Sequence, residues 1–252
     1  MKDVRITYVG HATVLIELGG KAFLTDPVFT DRIATVRRQS PPGLLPRDLP
    51  RLSAILISYG HYDHLDLASL AMLDPRAPAV TPLRASRLLP GKNGRRFVEL
   101  GYEKSWEAGE VSVTAVPARH FGGRFLVDSL FRPAAGFVLK SAAACAYFAG
   151  DTAYSGHFTE IGRRHAPDIA ILPIGAYRPR FVMRSSHMDP AEALQAFADL
   201  GAQIMIPMHW GAFALSLEPM DEPVRRLSEL AEKQGLRDRV KVLEPGSFWE
   251  SP

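Results

Sequence analysis

The chain has 252 residues, 46% of them hydrophobic and 23% charged, with a formal net charge of +3. This is an ordinary globular composition, whose basic residues come in pairs (Arg37-Arg38, Arg95-Arg96, Arg163-Arg164) rather than in a nucleic-acid-binding run. Cys145 is the only cysteine, which excludes a disulfide framework and a thiolate metal cluster.

Met1 leads directly into Val4-Arg5-Ile6-Thr7-Tyr8-Val9, an alternating strand pattern without a signal-peptide segment. No stretch approaches eighteen uninterrupted apolar residues, so a cytoplasmic chain without a transmembrane segment is expected. Residues 13–18 and 21–25 read as further strands, joined at Gly19-Gly20 by a hairpin turn. Residues 27–50 are rich in proline and arginine without periodicity, which suggests a functional lid or a mobile segment. The apolar strand 53–58 then delivers ISYGHYDHLD, residues 57–66, and Asp66 can cap a helix beginning at Leu67. Strands are expected at 79–81, 97–100, 111–116, 135–140, 144–149, 168–173 and 204–207. Helices are expected at 82–89, 155–165, 189–200 and 221–235, with Asp189-Pro190 as an N-cap pair. Cys145 falls in the apolar run 142–149, where a buried inert thiol is the ordinary outcome. No repeat or linker divides the chain, so residues 1–252 are expected to form one domain. Strand-rich blocks with helices occur in both halves, which favours two sheets packed face to face with helices outside. A doubly wound nucleotide-binding sheet fits poorly, because no GxGxxG turn follows the first strands.

Five places join a strand to a loop carrying His or Asp. They are Gly10-His11-Ala12, His61-Tyr62-Asp63-His64, Ala118-Arg119-His120, Gly150-Asp151-Thr152 and Met208-His209-Trp210. Imidazole and carboxylate are the hard and borderline ligands that suit zinc, iron or manganese. One histidine at a strand end is usually structural; the recurrence points to a shared site. Spacing alone does not show that these loops converge.

On these residues the chain resembles the metallo-β-lactamase superfamily, whose loop pattern is HxHxDH. Within it, the likeness is to N-acyl-phosphatidylethanolamine phospholipase D and its bacterial relatives. It runs almost end to end, through VGHAT (9–13), LTDPVF (24–29), HYDHLD (61–66), PARHF (117–121), GDTAY (150–154), PIGAY (173–177), HMDP (187–190) and HWGAF (209–213). The resemblance implies an αββα sandwich of two mixed β-sheets flanked by helices, with one or two Zn2+ ions, or Fe or Mn. One ion would take Asp63, His64 and His209, with Asp151 bridging; the other would take His61, His120 and Asp151. Tyr59 stands where the pattern has its first histidine. An unperturbed phenol keeps its proton until about pH 10. Tyr59 is therefore expected beside the metal as a hydrogen-bond donor rather than on it, with a single ion in the intact half-site. His187 matches a histidine implied to polarise the substrate, and His11 and Asp26 are implied to support ligands by hydrogen bonds.

The implied chemistry is attack by a metal-bound hydroxide, oriented by Asp63, on a small-molecule or lipid phosphodiester, as in a phospholipase D. Two alternatives stand beside it: hydrolysis of a lactone or other carboxyl ester, and a weakly active or non-catalytic metal-binding protein marked by Tyr59. The resemblance permits a monomer or homodimer and peripheral membrane contact.

Overall fold

Period-two burial builds the first sheet. In Val4–Gly10 (β1), Thr13–Leu18 (β2) and Lys21–Thr25 (β3), the side chains of Ile6, Tyr8, Val14, Ile16 and Phe23 enter a core shared with the second sheet. The intervening Val9, Leu15 and Leu24 point to the other face and pack with Leu65, Leu70 and Leu73. Each such side chain contributes about 1.5–3 kcal/mol when fully buried. The β2–β3 turn uses Gly19 and Gly20 at φ 55° and 69°, the left-handed pair that a tight hairpin requires.

A computed structural model describes residues 3–88, 94–122 and 133–252. After β3 come a small ribbon, Arg32–Ile33 (β4) with Val36–Arg37 (β5), then Ala54–Leu56 (β6), helix Leu67–Ala71 (α1), Ala79–Pro82 (β7) and Phe97–Leu100 (β8). Ser105–Ala108 (β9), Val111–Phe121 (β10), Pro133–Lys140 (β11) and Cys145–Phe148 (β12) run antiparallel. Helix His157–His165 (α2) leads to Ile169–Pro173 (β13); Arg180–Met183 (α3) and Pro190–Leu200 (α4) lead to Ile204–Met208 (β14). Glu222–Lys233 (α5) and Phe248–Glu250 (β15) follow.

The first sheet has the order β15-β1-β2-β3-β6-β7-β8 and the second β14-β13-β12-β11-β10-β9. Each is mixed: β1–β3 are antiparallel and β3-β6-β7-β8 parallel, while β12-β13-β14 are parallel. Phe158 of α2, Leu194 and Phe197 of α4 and Leu227 of α5 join the central core. This is the αββα arrangement expected from the sequence. Cys145 is buried, as expected. No helix among the described residues is long and apolar enough to cross a membrane.

Two expectations need correction, and two short strands were not expected. The helix expected at 82–89 is the end of β7 followed by a single 3-10 turn, Ala85–Leu88; residue 89 lies outside the described residues. The strand continues through Pro82, and the left-handed Arg84 (φ 68°) interrupts helical geometry after it. Strands β9 and β15 escape sequence reading because both are short, with exposed positions interspersed. The proline-rich segment 27–50 is fastened rather than lid-like. Arg38 is buried and donates to the carbonyls of Val28 (2.7 Å) and Thr30 (2.9 Å). Gln39 N donates to Ala212 O, Ser40 Oγ to Gly211 O and Gly43 N to Val9 O, so the segment braces the loop after β14.

Candidate metal centre

The strand ends place the polar residues on one edge of the sandwich. His11 follows β1, Asp26 follows β3, and the loop 57–64 follows β6. His120 lies near the end of β10, Asp151 follows β12, and His209 follows β14. His11, Asp26 and His209 have φ of 59°, 33° and 60°, a left-handed conformation unfavourable to side chains other than glycine. Such strain costs on the order of 1–3 kcal/mol per residue and is held in place by its surroundings. Here His209 N donates to His11 O at 2.8 Å and Asp26 N to Leu56 O at 2.8 Å. Gly150 turns the chain toward Asp151 at φ 60°, and a Cβ there would lie 2.6 Å from Ser58 Cβ.

One group of side chains gathers His11, Asp63, His64 and His209, the three histidines buried and Asp63 nearly so. Asp63 Oδ2 accepts from His11 Nε2 at 3.0 Å. The same oxygen lies 3.4 Å from His64 Nε2 and 3.5 Å from His209 Nε2. Asp151 Oδ2 approaches those two nitrogens at 3.1 and 3.2 Å. His64 has deep support: its Nδ1–H donates to Asp26 Oδ2 at 2.6 Å, and Asp26 also accepts from Ser58 N (2.7 Å) and Ser58 Oγ (2.6 Å). A carboxylate only accepts, so the proton sits on Nδ1 and the Nε2 edge faces the cluster. Burial alone would raise the carboxyl pKa values. The imidazoles of His64 and His11 beside Asp63, and of His209 and His64 beside Asp151, nonetheless hold both carboxyls well below their ordinary range.

A second group comprises His120, Asp151 and His187. His120 Nδ1–H donates to Ser186 O at 3.0 Å, which turns Nε2 inward. His187 Nδ1 lies 3.8 Å from Asp151 Oδ2. Burial lowers His120 to about 3 and His187 to about 4, so both rings are neutral at physiological pH, the form that ligates metal. Tyr59, only 1% exposed, stands between the groups, its ring 4.3 Å from that of His64 and 4.6 Å from that of His120. Its hydroxyl donates to Asp151 Oδ2 at 2.7 Å. Burial, then the charge of Asp151, pushes the phenol well above its ordinary value, so it keeps that proton. Among the described residues His61 falls in neither group; its ring is 4.6 Å from Tyr59 and 5.2 Å from His120.

The donor set fits a metal cation. Among the described residues, seven buried side-chain N or O atoms have no hydrogen-bond partner, and five of them are here: His64 Nε2, His209 Nε2, His120 Nε2, His187 Nδ1 and Asp151 Oδ1. Folded interiors rarely leave such atoms unsatisfied, so their convergence points to an external partner. Nitrogen and carboxylate oxygen suit zinc, iron and manganese. Two supporting groups had escaped sequence reading. Ser58 carries one weak signal, a hydroxyl at the end of a strand entering the motif. The Ser186 carbonyl carries none, since every residue has one. Trp210 packs as wall, stacked on Tyr8 at 5.5 Å, and His157 and His165 lie outside both groups.

The two mixed sheets and the cluster at their shared edge define a protein of metallo-β-lactamase fold with a His/Asp set able to hold metal. The chain belongs to the β-lactamase superfamily: the Beta-lactamase superfamily domain family matches residues 21–210. It is 34% identical to N-acyl-phosphatidylethanolamine-hydrolyzing phospholipase D 1 of Caenorhabditis elegans, over 97% of this chain and 75% of that one. It is 32% identical to a UPF0173 metal-dependent hydrolase of Rubrobacter xylanophilus, over 96% of this chain and 94% of that one. In fold it is similar to an isothiocyanate hydrolase from Delia radicum gut bacteria, with a TM-score of 0.82 at 19% identity, covering 98% of this chain and 99% of that one.

Proposed function

We propose that this chain is a metal-dependent hydrolase of phosphodiesters, with Asp63, His64, His209 and Asp151 holding the principal ion. The observation that carries the reading is the set of buried, partnerless ring nitrogens and carboxylate oxygen described above. A divalent ion held there would supply Lewis acidity and make water a competent nucleophile near neutral pH. The chain's own residues do the rest. Asp26 and Ser58 hold the His64 ring in one tautomer and orientation. His11 donates to Asp63 and fixes which carboxylate oxygen faces the cluster. Tyr59 does the same for Asp151. The net reaction adds water across a P–O bond, giving a phosphomonoester and an alcohol.

The substrate class rests on two supports. The relative from Caenorhabditis elegans is a phospholipase D by name and matches nearly the whole of this chain. The residues beside the site are also amphipathic. Tyr62, Phe121, Phe181 and Val182 are exposed apolar side chains, and Arg119 and Arg184 are exposed next to them in the chain. α3, which carries Phe181 and Val182, is tied to the site because His187 N donates to Met183 O at 2.8 Å. Such a mouth suits a phosphate diester with an apolar substituent.

The test is hydrolysis by zinc-loaded protein of bis(p-nitrophenyl) phosphate, a phospholipid diester and an aliphatic lactone, before and after chelation. The expected result is diester turnover that chelator abolishes and zinc restores, with the lactone inert. Preferential lactone turnover, or metal binding without any turnover, would overturn the reading.

A further inference from the structure

The second group of ligand-type side chains raises a question that the motif does not answer. The position that begins the HxHxDH pattern holds Tyr59, whose hydroxyl is committed as a donor to Asp151 Oδ2. Yet His120 Nε2, His187 Nδ1 and Asp151 Oδ1 are all buried and all without a hydrogen-bond partner. One ligand atom from each of these three residues falls within 4.8 Å of the others. Donors around a single tetrahedral zinc stand about 3.4 Å apart, so small side-chain rotations close this set on one ion.

The backbone holds His187 for such a role. Its N–H donates to Met183 O at 2.8 Å, and its carbonyl accepts from Arg180 Nη1 at 2.8 Å. Arg180 is itself paired with Glu192 of α4. The preceding carbonyl, that of Ser186, receives His120 Nδ1–H and so couples the two rings, whose centroids are 4.9 Å apart. Tyr59 contributes from the other side. By engaging Asp151 Oδ2 it leaves Oδ1 as the unpartnered oxygen.

We infer that in this chain a second ion is held by His120 Nε2, His187 Nδ1 and Asp151 Oδ1. In this arrangement His187 replaces the ligand that the residue at position 59 no longer supplies, and Tyr59 is a positioning residue for Asp151. The inference rests on the metal-hydrolase reading and reassigns His187 from substrate contact to ligand. It also revises the single-ion expectation that Tyr59 by itself suggests.

The test is metal stoichiometry. The full chain is loaded with excess Co(II), desalted and analysed for cobalt per chain, with the Co(II) d–d absorption as an independent spectroscopic readout. The wild-type protein is expected to retain two ions and His187→Gln one. The double variant Tyr59→His/His187→Gln is expected to regain the second, because a histidine returns to the motif position. His61→Gln is expected to keep both, which excludes the motif's remaining histidine as the ligand even where His187→Gln folds poorly. One ion in the wild-type protein overturns the inference and leaves the hydrolase reading standing, whereas no ion overturns both. Two ions in His187→Gln, or one in His61→Gln, assigns the set to other residues and overturns the inference alone.

Discussion

The two ligand groups are built differently. Asp63 and His64 come from one loop, and His64 is backed by Asp26, itself held by two bonds from Ser58. His120, Asp151 and His187 come from three separate segments, and the side-chain support described for them is one backbone carbonyl and one tyrosine hydroxyl. The first group therefore has its geometry set two layers deep, while the second depends on the docking of α3 and on Tyr59. The difference suggests where affinity and where adaptability reside. Deep hydrogen-bond support favours tight retention of one ion, and shallow support lets ligand identity drift without loss of the fold.

The proposed arrangement can be broken most severely at Asp151, which belongs to the second group and also approaches His64 and His209 of the first at 3.1 and 3.2 Å. Asp151→Ala is expected to lower diester kcat/KM by about 10²–10³-fold and to reduce bound metal in both sets. Near-normal turnover in that variant would show that the two sets do not share a carboxylate. A smaller effect is expected at Asp26. Asp26→Asn should weaken metal retention in the first set by about 10–100-fold, measured by chelator competition, while the second set is spared. Tyr59→Phe should reverse that selectivity, weakening the second set and leaving the first in place; equal loss from both would merge the two groups into one unit.

Away from the site, Arg95 is buried and donates to the carbonyls of Leu70, Leu73, Asp74 and Ala77 at 2.5–3.0 Å. Arg95→Ala is expected to destabilise the fold by about 3 kcal/mol in chemical denaturation, with metal content per folded chain unchanged. The smallest effect concerns pH. Burial, then the charge of Arg119, lowers His157 to about 4, while in the unfolded chain it returns to about 6.5. Between those values the unfolded state binds the extra proton, so stability falls as pH drops from about 6.5 toward 4. His157→Gln should flatten that slope in denaturation curves collected across this range; an unchanged slope would remove His157 as its source.

Much of the architecture is legible along the chain. Alternation in β1, the β-branched and aromatic runs of β2 and β3 and the Gly19-Gly20 turn announce the first hairpins. Asp66 and Asp189 mark helix starts through their capping bonds to backbone amides. The short edge strands β9 and β15 are not legible, since few of their positions are buried. The segment 27–50 looks loose in sequence, yet Arg38 anchors it through backbone carbonyls that composition cannot reveal.

The site divides in the same way. The sequence by itself determined that His and Asp follow strand ends, and that the first motif histidine has become Tyr59. Residue type and strand periodicity are local properties, readable one segment at a time. Only the tertiary structure decided that His187 stands beside His120 and Asp151, that among the described residues His61 falls in neither group, and which oxygen of Asp151 Tyr59 engages. Those outcomes depend on how loops from both sheets meet at one edge and on the direction each ring takes once its other nitrogen has found a partner.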